Sequence, residues 1–268
     1  MRSWLSARAG KQTLIGVVHL APTPGAPRYA GDLAGLFARA TADARALAAG
    51  GCDALIVENF GDAPFQPRRV APESVAALAL ALERVAGAAG GLPLGVNVLR
   101  NDARAGLGLC ALGLCSFVRV NVHVGVAVSD QGLLVGRAHA TLRARERLCP
   151  QAALWCDVHV KHAVPLGGGS LEDAARDTLE RGLADALIVS GTRTGSAPDV
   201  RDLERVREAV GGAVPLLVGS GLDARNAREL ARVADGAIVG TALKRDGRVE
   251  APVDEARVAA VRAALDRS

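Results

Sequence analysis

The chain switches eight times between a short aliphatic run and a longer segment whose apolar residues recur at helical spacing. A strand that is apolar on both faces must be covered on both, and helices between parallel strands provide that cover. The aliphatic runs fall at residues 13–20, 53–59, 93–100, 117–122, 154–162, 186–190, 216–221 and 236–240. Helical segments are expected near 31–49, 72–89, 103–112 and 138–148. Ser170-Leu171-Glu172-Asp173 opens another with a capping-box pattern. Val200, Leu203, Val206 and Val210 mark the next, 226–234 the seventh, and Val258, Val261 and Leu265 the last. After the fourth run, alternating valines flank Asp130-Gln131-Gly132, the pattern of a small inserted hairpin. The spacing predicts an α/β chain in which residues 1–268 form one (β/α)8 barrel with a hairpin insertion after strand 4. An open doubly wound sheet is the alternative, but no Gly-x-Gly-x-x-Gly turn follows the first strand.

Composition agrees with a barrel and excludes several other classes. Half of the residues are hydrophobic and only 3% are aromatic, so the core is built from Val, Leu, Ile and Ala. The net charge of +4 comes from arginines scattered beside acids, without a basic block, and no nucleic-acid partner is expected. No run is long enough to insert in a membrane, and no signal peptide is evident, so a cytoplasmic location is expected. The five cysteines contain no Cys-x-x-Cys pair and read as small core residues of a reducing compartment. A homo-oligomer is compatible with the sequence.

Barrel enzymes carry their sites at the C-terminal ends of the strands. Polar residues gather there: His19, Glu58, Asn97, Arg119, Asn121, Asp157, His159 and Lys161. Asp157, His159 and Lys161 alternate with valines, so a continuous strand would project all three into one mouth. The competing reading of these three is a buried ion network that only fills the barrel. Gly219, Ser220, Gly221, Gly240 and Thr241 end the last two strands with glycine and small hydroxyls. In this fold those loops commonly bind phosphate, because glycine lets backbone N–H groups approach an anion. Tight strand-to-helix turns are the plainer reading of either motif alone. Thr194 and Gly195, after the sixth strand, are candidates to close a third side. His19, Glu58, Asp157 and His159 are chemically able to ligate a metal, but no ligand signature links them. No metal is expected, and the sequence requires no cofactor.

Several segments resemble the BtpA/SgcQ family. They include Ile15-Gly16-Val17-Val18-His19-Leu20, Glu58-Asn59-Phe60-Gly61-Asp62, Asn97-Val98-Leu99-Arg100-Asn101-Asp102, Asp157-Val158-His159-Val160-Lys161-His162 and Val218-Gly219-Ser220-Gly221. The resemblance spans nearly the whole chain and implies a barrel of the ribulose-phosphate-binding type. One branch of that family is named for photosystem I biogenesis and another is labelled a nucleosidase. The expected activity is therefore an enzyme of phosphorylated sugars or nucleotide-like substrates, cleaving or transferring at an N-ribosyl bond. Asp157 or Glu58 would face an oxocarbenium-like centre, His159 would serve as acid or base, and Lys161 and Arg119 would hold the anion. His19, Asn97 and Asn121 would contact the substrate. Sugar-phosphate isomerase or aldolase chemistry through Lys161 is the alternative enzyme, and a non-catalytic assembly factor the alternative outside enzymology.

Overall fold

Eight parallel strands close into a barrel in the order β1-β11-β10-β9-β7-β4-β3-β2. The computed structural model describes residues 4–5, 10–191 and 196–267. The barrel strands are β1 (Thr13–His19), β2 (Ala54–Glu58), β3 (Leu94–Asn97), β4 (Phe117–Val120), β7 (Ala153–Asp157), β9 (Ala186–Val189), β10 (Leu216–Val218) and β11 (Gly236–Val239). Their helices are α1 (Leu33–Ala49), α2 (Pro72–Ala88), α3 (Ala103–Ala111), α4 (Ala138–Leu148), α5 (Leu171–Arg176), α6 (Val200–Val210), α7 (Ala227–Leu230) and α8 (Glu255–Leu265). A side sheet in the order β6-β5-β8 joins β5 (Val126–Ser129), β6 (Gly132–Val135) and β8 (Ala163–Pro165), all pairings antiparallel.

Alternation along each strand sorts the core into two shells. Leu55, Val57, Val118, Leu154, Cys156 and Leu187 point outward into the large cluster under the helices. Ala54, Ile56, Phe117, Ala153, Trp155 and Ile188 point inward and fill the barrel. The Phe117 and Trp155 rings stack there with centroids 3.7 Å apart. Gly95 makes this possible, since a Cβ at that position would lie inside the Phe117 ring.

The N-terminal end of the barrel is tied by one device used three times. Asp53, Asp185 and Asp235 each precede a strand and accept an amide near the start of a neighbouring one: Leu14, Leu154 and Leu216, at 2.9, 2.8 and 2.8 Å. Each also binds an arginine from a helix: Arg262 at 3.0, Arg145 at 2.7 and Arg207 at 2.6 Å.

Several elements are shorter than the sequence predicts: the third barrel strand ends at Asn97 rather than at residue 100, and the seventh at Val218 rather than at residue 221. The fifth barrel strand ends at Asp157 rather than at residue 162, after which the chain bends and then enters β8. The helix expected over 226–234 is the single turn α7. Ser170 does cap α5, accepting the Asp173 amide at 3.0 Å.

Candidate active site in the barrel mouth

Moving two residues up a strand carries an inward side chain from the apolar filling to the mouth. Val17 gives way to His19, Ile56 to Glu58, Phe117 to Arg119 and Trp155 to Asp157. All four polar residues are buried. His19, Glu58 and Arg119 line a cavity of about 970 Å³ whose walls also carry Asn97, Arg100, Asn121 and Lys161, and Asp157 lies behind Arg119, outside its wall. A smaller lobe of about 240 Å³ adjoins it over β10 and β11 and shares His19, Glu58, Arg119 and Lys161 with it.

Asp157 is saturated. Its carboxylate accepts from Arg119 Nε at 3.1 Å and Nη2 at 2.9 Å, from Asn121 Nδ2 at 2.8 Å and from Ser190 Oγ at 3.3 Å. Burial acts to lower the Arg119 pKa, yet Asp157 and Glu58 reverse this and the net direction is upward. Arg119 is thus a fixed cation on a paired base.

Glu58 is held but not saturated. Its Oε1 accepts from Asn97 Nδ2 at 2.9 Å and lies 3.6 Å from Arg119 Nη1, while Oε2 lies 3.9 Å from His19 Nε2. Burial raises its pKa, but Arg119, His19, Lys161 and the Asn97 hydrogen bond together bring it below the usual value. It stays ionised in the mouth. His19 packs on Phe60 at 4.8 Å, and burial drives its pKa down to about 4 despite Glu58. It is a neutral imidazole whose Nδ1 is buried without a hydrogen-bond partner, as is Asn121 Oδ1.

Lys161 makes no ion pair among the described residues. Burial and the Arg119 charge lower its pKa, with Glu58 and Asp157 opposing. An ammonium so placed loses its proton more readily than a surface lysine. Its own backbone oxygen accepts from Arg100 Nη2 at 2.7 Å, which anchors the segment after β7 over the mouth.

His159 is not part of this cluster. It is half-buried and lines a separate cavity of about 170 Å³ beside the side sheet and α5. The sequence argument assumed a continuous strand, but β7 stops at Asp157, so strict alternation no longer places 159 and 161 on the same face. Lys161 reaches the mouth through the bend instead. Thr194 and Gly195 lie outside the described residues.

The glycines expected at the phosphate loops line the smaller lobe together with Ser220 and Thr241. They are places of close approach. A Cβ on Gly219 would strike the Ser190 hydroxyl and Ile188, one on Gly240 would strike His19, and one on Gly221 would strike the 196–197 backbone. Gly221 also has φ +74°, a left-handed conformation suited to glycine.

Loops β1 and β2 are stapled by a second buried network. Asp62 accepts from Thr23 N at 2.7 Å, Thr23 Oγ1 at 2.9 Å and Asn59 Nδ2 at 2.9 Å. Asn59 Oδ1 in turn accepts the Leu99 amide at 2.7 Å. These bonds position the strand ends that present Glu58 and Asn97. Arg100 and Ser190 count among the polar strand ends legible in the sequence, though without a role of their own, while Phe60 is not; it lies in the motif next to Glu58, which is the available signal.

The BtpA family model matches residues 10–267. A Synechocystis protein named "Photosystem I biogenesis protein BtpA" is 47% identical over 247 residues, covering 92% of this chain and 85% of that one. A Thermococcus kodakarensis protein is 48% identical over 240 residues, 90% of each chain. Among solved structures, KGPDC from Streptococcus mutans superposes with a TM-score of 0.61 at 13% identity, covering 96% of this chain and 98% of that one. Thiamine phosphate pyrophosphorylase from Pyrococcus furiosus superposes with a TM-score of 0.57 at 14% identity, covering 97% and 98%. At such identities the likeness establishes the barrel fold alone.

Proposed function

The chain belongs to the BtpA family, and on that premise we propose that it is an enzyme acting on a small phosphorylated substrate in its barrel mouth. The observation that carries this reading is an acid–base pair left unsatisfied by the protein. Glu58 is ionised with an oxygen facing the cavity, and Lys161 is a half-buried amine of lowered pKa without an ion-pair partner among the described residues. A purely structural network would satisfy both. The lobe over β10 and β11 supports a phosphate position, with Gly219, Ser220, Gly221, Gly240 and Thr241 as its wall.

Of the two chemistries, isomerase or aldolase-type carbonyl chemistry fits better than N-ribosyl cleavage. An oxocarbenium-like centre needs a free carboxylate. Asp157 is covered by four hydrogen bonds, and Arg119, Lys161 and Arg100 oppose developing positive charge. Carbonyl chemistry uses what is present. Lys161 acts as nucleophile or proton carrier, Glu58 moves a proton on the substrate carbon, and Arg119 stabilises the oxyanion. His19 Nδ1 and Asn121 Oδ1 contact substrate polar groups.

Melting curves with sugar phosphates and their dephosphorylated forms test the substrate class. Phosphorylated compounds alone should raise Tm, and equal shifts would overturn the reading. Borohydride reduction with a bound aldehyde or keto sugar phosphate then separates the chemistries. A covalent adduct on the Lys161 peptide indicates an imine, and no adduct with active turnover indicates proton transfer.

A second reading rests on the name of the Synechocystis relative, an assembly role for photosystem I. It draws support from the side sheet, where Val128, Leu133 and Val164 are cross-strand neighbours exposed by 42%, 56% and 69%. Absence of any phosphorylated ligand, with loss of partner binding in Val128→Asp, would favour it.

A further inference from the structure

A second cleft of about 410 Å³ lies on the flank of the barrel, between the loop before α2, the start of α3, β6 and the start of α4. Arg68, Arg69, Arg104 and Arg137 all line it, although three separate stretches of chain supply them. None of the four forms an ion pair among the described residues. Arg145, Arg205, Arg207, Arg225 and Arg262, by contrast, each hold a carboxylate, and what sets the four apart is that they gather in one cleft without one.

The single acid in the cleft does not neutralise them. Asp102 is buried, and its two oxygens accept the Val70 amide at 3.0 Å and the Ala105 amide at 3.0 Å. Its charge is thereby turned toward the start of α3. The start of α4 also opens on the cleft without a side-chain cap, adding its positive end. The floor is apolar where Val120 and Val122 are buried, and the exposed Leu133 and Val135 side chains form one wall. Four like charges gathered around a low-dielectric floor repel one another, and an anion between them removes that repulsion.

The frame around the cleft is rigid. Asn101 accepts the Val122 amide at 3.0 Å and donates to the Val122 carbonyl at 2.9 Å, locking the end of β4 to the segment before α3. Nothing in the cleft is suited to acid–base work, since Asp102 is committed and the remaining polar groups are arginines, the Asn101 amide and the Thr141 hydroxyl. No aromatic side chain lines it, so base stacking is not its mode of recognition.

We propose that this cleft is a second ligand site, distinct from the barrel mouth, which binds a small phosphorylated molecule carrying two or more negative charges. Guanidinium groups on several sides suit the several oxygens of such a ligand, each forming charge-assisted hydrogen bonds. Residue 101 lines this cleft and residue 100 lines the mouth, so the two sites share the segment that follows β3.

Inorganic pyrophosphate is the probe. Hydrogen exchange with pyrophosphate present should show protection at residues 101–105 and 137–141. Calorimetric titration should show its affinity for this site falling at least about tenfold in Arg104→Ala/Arg137→Ala. Arg68→Ala/Arg69→Ala, on a different stretch, should weaken it in the same direction. All four side chains are exposed, so folding should survive, and if one double variant fails to fold the other decides. Protection confined to residues 219–221 and 240–242, or an unchanged affinity in a folded double variant, would overturn the proposal. Protection in those mouth loops reports the mouth alone, so the two sites fail or succeed separately.

Discussion

The two ends of this barrel use the same residue types in opposite ways. At the N-terminal end, Asp53, Asp185 and Asp235 each accept a strand amide and an arginine. Each of the three carboxylates there is matched to an amide and a guanidinium, and the result is a set of clips between strands and helices. At the C-terminal end, Glu58 keeps an oxygen toward a cavity, and among the described residues Lys161 has no ion-pair partner and His19 Nδ1 and Asn121 Oδ1 are buried without hydrogen bonds. A buried polar group without a partner costs stability, of order 1–3 kcal/mol. The contrast separates the end that ties strands to helices from the end that carries unmatched polar groups around a cavity. Asp157 crosses that division: it sits at the mouth but is satisfied like a clip.

The largest expected effect comes from that exception. Asp157→Ala leaves the buried Arg119 without its main counter-ion and should cost about 3–5 kcal/mol in denaturant unfolding. A loss below about 1 kcal/mol would mean that the network does not hold the mouth, and the division would fail at its clearest point.

Next is a pH effect at the mouth. The folded pKa of His19 is about 4, below its unfolded value near 6.5, so the unfolded chain takes up the proton first. Stability should therefore fall as pH drops through 6.5 and level off below about 4, by roughly 3 kcal/mol in all. Unfolding curves across this window should be flatter in His19→Gln. An unchanged slope would show that His19 is not buried as a neutral group.

A clip should matter less. Asp235→Ala frees the Leu216 amide and Arg207, and about 1–3 kcal/mol should be lost. Ligand-induced shifts in Tm should persist in this variant. Loss of those shifts would join the two ends that the structure separates.

The smallest stability change belongs to the group proposed for chemistry. Glu58→Gln keeps the shape and the Asn97 contact and should cost about 1 kcal/mol or less, while abolishing turnover of the sugar phosphate found in the melting screen. A loss as large as that of Asp157→Ala would make Glu58 a structural ion instead.

Much of the barrel was legible in the order of apolar runs. Strand and helix periods are local, so Phe117–Val120 and Ala138–Leu148 could be read from spacing. The strand ends were less legible, because a strand stops where its neighbours stop pairing, not where valines end. Residues 154–162 alternate throughout, yet β7 pairs with β9 only through Asp157. Of the site, the polar strand ends were legible as a group, since the fold's C-terminal face collects them.

The sequence by itself determined the repeating strand–helix order, and with it which inward positions reach the mouth. Period-two alternation carries Phe117 to Arg119 and Trp155 to Asp157 whatever the remaining chain does. Only the tertiary structure decided which of those charges were matched. Arg119 and Asp157 are 38 residues apart and meet because β4 and β7 are barrel neighbours. Their pairing occupies the Asp157 carboxylate, and the bend after β7 sends His159 to another cavity while bringing Lys161 to the cavity that Glu58 lines. Charge pairing is a property of distances across strands, and a sequence specifies those distances only once the barrel has closed.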